Sequence, residues 1–162
     1  MKKFSIILFL VTSLFTGLTG VVHAGGHLPD LVETAVKGGK FKTLITALEA
    51  AGLVETLKGK GPFTVFAPTD EAFAKIDSAA LADLLKPENK DKLTAILTYH
   101  VVSGKVMSSD IKGDTEAPTV NGKSLSIKLN YGKVMINEAN VTVPDVNADN
   151  GVIHIIDTVL LP

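Results

Sequence analysis

Apolar residues recur at helical spacing in the first half of the chain and at strand spacing in the second. Leu31, Val32, Ala35 and Val36 follow Pro29-Asp30 and stop at Gly38-Gly39, which predicts a helix with Asp30 as its cap. Phe41, Leu44, Ile45 and Leu48 mark a second helix ending at Gly52, and Leu53, Val54 and Leu57 a short third. Phe63 to Phe66 reads as a strand, broken by Ala67-Pro68-Thr69. A helix follows, with Thr69 as cap, Asp70 and Glu71 in its first turn, and Ala72, Phe73 and Ile76 on its buried face. Pro87 opens a longer helix carrying Leu93, Ile96, Leu97, His100 and Val101 on one side.

Beyond that point the period changes to two. Leu125, Ile127 and Leu129 alternate with polar neighbours, and Asn130-Tyr131-Gly132-Lys133 is a hairpin connection into Val134-Met135-Ile136. Ala139, Val141 and Val143 alternate again. Val152 to Ile156 is apolar on both faces except at His154, the pattern of a central strand. Helices first and antiparallel strands later predict an α+β domain without linker or internal repeat.

The first residues have a different character. Met1-Lys2-Lys3 precedes an apolar run to Val22, and Val22-His23-Ala24 fits a signal-peptidase site. This predicts a leader over residues 1–24, a domain over 25–162, and a protein that is secreted or held in the periplasm or cell envelope. Cleavage leaves fourteen lysines against seventeen carboxylates, a net charge of −3, and no segment suited to stable membrane insertion. It would also expose Gly25-Gly26-His27, whose amine, amides and imidazole form a square-planar site for Cu(II) or Ni(II) unless the segment is simply a disordered end.

Composition removes whole classes of function. With no cysteine, disulfides, zinc-thiolate sites and thiol catalysis are excluded. All sixteen basic residues are lysine and the intact chain carries −1, so nucleic acid is not an expected partner. There is no Gly-x-Ser-x-Gly elbow, and Gly59-Lys60-Gly61-Pro62 lies between a helix and a strand in the reverse order to a phosphate loop. Asp145, Asn147 and Asp149 place oxygens at the first positions of a calcium loop, but the glycine is one place late and position twelve is Ile156.

Phe63-Thr-Val-Phe-Ala-Pro-Thr-Asp-Glu-Ala-Phe73 resembles the first signature of the fasciclin (FAS1) domain family. Tyr99-His100 resembles its central Tyr-His element, and Asn150-Gly-Val-Ile-His-Ile-Ile-Asp-Thr-Val-Leu-Leu161 its second signature. The three stand in family order. The resemblance implies a wedge in which a helical layer packs on a mostly antiparallel, β-sandwich-like core. It also implies adhesive or cell-surface roles without catalysis or cofactor, in the manner of small secreted bacterial single-domain members.

The resemblance also nominates contact residues. Vertebrate matrix members carry an Asp-Ile pair implicated in integrin binding; Val143-Pro144-Asp145-Val146 stands there, which makes Asp145 and Val146 candidates on a proline-stiffened loop. Some members assign recognition to the Tyr-His element, here Tyr99 and His100. Helical spacing instead turns His100 inward beside Ile96 and Leu97, where a bond to Thr69 or Asp70 would tie two elements together. Thr69, Asp70, His100 and His154 are therefore expected to be architectural, with His154 buried on one hydrogen bond; no metal ligands are assigned. The expected function is a non-enzymatic extracytoplasmic interaction module, in adhesion or cell–cell contact, engaging a protein or glycan through exposed loops. The alternative is a carrier for a small apolar ligand, lipid or carotenoid-like.

Overall fold

A computed structural model describes residues 28–162. The proposed leader and Gly25-Gly26-His27 lie outside the described residues. Six helices and seven strands follow in the order α1 (Leu31–Gly38), α2 (Lys42–Ala51), α3 (Val54–Lys58), β1 (Phe63–Pro68), α4 (Asp70–Ala74), α5 (Ser78–Leu84), α6 (Lys90–Tyr99), β2 (Val101–Ser103), β3 (Thr115–Pro118), β4 (Ser124–Asn130), β5 (Lys133–Ile136), β6 (Ala139–Ala148) and β7 (Gly151–Ile156). Short 3-10 turns sit at Pro87–Asn89 and Ser108–Asp110.

Local chemistry sets the helix ends. The Asp30 carboxylate accepts from Glu33 N at 2.8 Å, and Gly39 closes α1 with a φ of 67°. Thr69 Oγ1 accepts from Ala72 N at 3.3 Å and starts α4. α2 has no side-chain cap of its own. Asp70 supplies it from another helix, accepting from Thr43 N at 2.8 Å and Lys42 N at 3.4 Å.

The strands form one sheet in the order β2-β1-β7-β6-β5-β4-β3. Only β1 and β7 are parallel, paired from Phe63↔Gly151 to Pro68↔Ile156. β6 stays with β5 for two pairs, then turns away and runs along β7 with register shifts at Val141/Val143 and Val143/Val146. This divergence folds the sheet into two facing parts. Val65, Ala67 and Ile153 join Leu44, Leu48, Phe73 and Leu97 in the helical core. Phe66, Val102 and Ile156 point the other way and meet Leu125, Ile127 and Ile136. The α+β wedge is thus as expected, and β7 is buried on both faces between β1 and β6.

Several stretches depart from the pattern reading, among them the start of the long helix, which begins at Lys90 after a 3-10 turn at Pro87–Asn89. α5 has no fully buried residue, so its periodic signal is weak. Val101 leaves the helix, which ends at Tyr99 because Val101 and Val102 pair with β1. Val143-Pro144-Asp145-Val146 is a bulged part of β6 rather than a free loop; Asp145 takes a φ of 57°, which uncouples the two registers.

Candidate functional site

The β6 bulge turns Asp145 inward. Its carboxylate accepts from Ser108 N at 2.7 Å and from Ser108 Oγ, and its own N–H donates to His154 Nδ1 at 3.3 Å. His154 Nε2 donates to Val106 O at 2.7 Å, so the ring is neutral and bonded on both sides rather than by a single bond. It also stacks on Phe66, with ring centroids 5.5 Å apart. Burial alone would raise the Asp145 pKa, but the two bonds from Ser108 hold it below the ordinary value. Burial lowers the His154 pKa, against the opposing pull of Val106 O and Asp145. Val146, next in the chain, packs partly against the helical core.

His100 is buried and linked to different partners from those expected. Nδ1–H donates to Ile96 O at 2.8 Å, and Nε2 accepts from Leu160 N at 3.0 Å. Thr69 and Asp70 are taken up as helix caps and do not bond to it. His100 therefore pins the C-terminal segment to α6 rather than joining α6 to α4. Desolvation lowers its pKa to about 4, although the bond to Ile96 O pulls the other way. Tyr99 is also buried; its hydroxyl donates to Ser124 O at 3.4 Å and accepts from Asn137 Nδ2 at 3.0 Å. Neither side chain of the Tyr-His element is at the surface.

Asn150 does more than begin a turn. Its Nδ2 donates to Leu57 O at 2.6 Å and Gly59 O at 3.0 Å, and its Oδ1 accepts from Leu31 N at 3.0 Å. One amide joins the start of α1, the end of α3 and the β6–β7 turn. Asn150→Ala is expected to lower stability by about 2–3 kcal/mol in denaturant titration, since it strands several partly buried main-chain groups. Of the calcium-loop carboxylates, Asp145 is committed to Ser108, and among the described residues no group of three or more His, Asp or Glu is arranged to hold a metal.

The surface is built by the other half of the sheet. Where β5 and β6 part, an open cleft of about 720 Å³ forms, lined by Leu129, Val134 and Val141 with Lys133, Asn140 and Thr142. Gly132 lies at its edge, and Tyr131 beside it is 99% exposed on the hairpin turn. Sequence spacing identified Tyr131 only as a turn residue; a tyrosine where such turns favour Asn, Asp or Gly was the available signal. A separate apolar cavity of about 30 Å³ lies among Leu53, Leu57, Phe63, Val101 and Val120, room for roughly one water-sized group.

Comparison with known proteins agrees with this architecture. The Fasciclin domain model matches residues 39–162. Protein sll1483 of Synechocystis sp. is 50% identical over 132 residues, spanning 82% of this chain and 73% of that protein. The cell surface glycolipoprotein MPB83 of Mycobacterium bovis is 37% identical over 150 residues, 89% of this chain and 66% of its own length. The FAS1 domain pair of the insect cell adhesion molecule Fasciclin I shares the fold, with a TM-score of 0.74 at 23% identity, over 84% of this chain and 52% of that one. By its matched span and its bacterial relatives, the chain belongs to the fasciclin (FAS1) domain family.

Proposed function

We propose that this chain is a non-enzymatic interaction module that works outside the cytoplasm, behind a leader removed after Ala24, in surface adhesion or cell–cell contact. The observation that carries this reading is how the polar side chains divide between inside and outside. His100 and His154 each have both ring nitrogens committed to main-chain atoms, and Ser108 is committed to Asp145. Among the described residues no histidine is left facing Ser108 as a base, which argues against a nucleophilic triad. The signature residues serve the scaffold, while the β4–β5 hairpin and the cleft beside it face outward. The cell-surface name of the mycobacterial relative supports the same setting.

The carrier reading gains little from the small cavity among Leu53, Leu57 and Phe63, because a lipid or carotenoid is far larger than its volume of about 30 Å³. Among the described residues no helix is long and apolar enough to cross a membrane. The module reading predicts that beads coated with the protein bind cells of the source organism or their isolated envelopes. Beads coated with heat-unfolded protein should not. Equal capture by the two kinds of bead would refute it.

A further inference from the structure

We infer that the β4–β5 hairpin tip and the adjoining cleft bind an acidic polysaccharide strand. This rests on the interaction-module reading and names its partner. The first observation is charge. Between Glu116 and Glu138 the chain has Lys123, Lys128 and Lys133 and no carboxylate side chain, although the protein as a whole is acidic. Lys128 and Lys133 are exposed, and neither is in an ion pair among the described residues. Pairing of Lys128 with Met135 and of Asn130 with Lys133 puts the two ammonium groups on one face of the hairpin. Asp157 also lines the cleft, but its oxygens accept from Asn140 N, Asn140 Nδ2 and Thr158 Oγ1.

The second observation is Tyr131. It is 99% exposed and has a φ of 48°, followed by Gly132 at 77°. A two-residue hairpin of this kind wants Asn, Asp or Gly at its first position. A bulky aromatic held there gains nothing from packing, and strain without structural return points to use elsewhere. A bare aromatic face is a platform for the C–H face of a sugar ring.

The cleft decides among anionic partners. At about 720 Å³ it is within the roughly 300–1,000 Å³ range of small-ligand sites. Of its apolar residues, Val134 and Val141 are recessed and Leu129 is 41% exposed at the rim, while Lys133, Asn140 and Thr142 supply polar groups. A flat bilayer does not reach recessed residues; a narrow strand with apolar ring faces and a polar rim does. An extended peptide would need a strand edge to pair with, and β5 leaves only Lys133 and Val134 unpaired toward β6.

The test uses the full-length protein in affinity electrophoresis through alginate, with neutral dextran, polyglutamate and phosphatidylglycerol vesicles as alternatives. Wild type should be retarded by alginate and not by the other three, and retardation should fall with salt. Tyr131→Asn should weaken alginate binding about tenfold while leaving the melting temperature unchanged or higher. Lys128→Gln with Lys133→Gln should weaken it about tenfold and flatten the salt dependence. No retardation by alginate at low salt, equal binding by the variants, or equal or tighter binding to polyglutamate or vesicles would each overturn the inference. The coated-bead experiment separates its failure from that of the broader reading. Wild-type and Tyr131→Asn beads that bind cells equally sink the hairpin site alone, whereas beads indifferent to unfolding sink the module itself.

Discussion

Gly151→Ala is expected to lower stability by more than about 3 kcal/mol and to leave little folded protein at 37 °C, a loss in the range of severe backbone clashes. An added Cβ would stand 2.0 Å from Phe63 O and 2.9 Å from the Phe63 carbonyl carbon. Those are main-chain atoms of the parallel β1–β7 pair, so no side chain can swing aside. The strands would have to separate at the first rung of the central pairing. Gly61 meets the same limit from the other side, its Cβ falling 2.0 Å from Asn150 O. Gly113→Ala is the matched control: nothing lies within 4 Å of its Cβ and its φ is not left-handed. It should change stability by no more than about 0.5 kcal/mol. Denaturant titration of the two variants checks the pair, and similar midpoints would refute the close-approach argument.

Acid should weaken the fold well above the pH at which carboxylates titrate. His100 is held neutral in the folded chain, with its pKa pushed down to about 4 from 6.5. Between those values the unfolded chain takes up a proton that the folded chain refuses. Stability is therefore full above pH 6.5 and declines as pH falls toward 4, by about 3 kcal/mol from this group. Geometry gives the same sign: a proton on Nε2 would face the Leu160 N–H that the nitrogen now accepts. His154 acts in the same direction. Asp70, Asp145 and Asp157 are held below the ordinary carboxylate value of 3.8, so their contributions are lost only on further acidification. Melting temperatures measured from pH 7.5 to 4 should fall, and His100→Gln, which does not titrate, should show a shallower fall. His100→Ala should lose on the order of 4 kcal/mol at pH 7, from the cavity and from unpartnered Leu160 N and Ile96 O. A melting temperature flat across this range would refute the assignment.

The sequence was most legible where burial is regular. Val152 to Ile156 reads as a central strand because nearly every side chain in it is apolar, and both its faces are in fact covered. The Asp30 and Thr69 caps were legible because each acts on its own helix. Asp70 was not, because it caps a helix that begins 28 residues earlier in the chain and local spacing carries no trace of that partner. For His100, helical phase located the side chain inside but could not name Leu160 as its partner, since that contact spans 60 residues. β3 escaped notice with a single buried residue, Ala117. The VPDV stretch was recognisable by composition, yet its bulge depends on Ser108 and His154, which lie apart from it in sequence.

The placement of β7 between β1 and β6 governs how the chain is made. A ribosome delivers β1 long before β7, so the nascent polypeptide carries β1 without its parallel neighbour and β6 without its antiparallel one until the last strand emerges. Two open backbone edges are then available to other chains. Consolidation of the central sheet therefore waits for β7, and the chain that still lacks it is the species most in need of a holding chaperone.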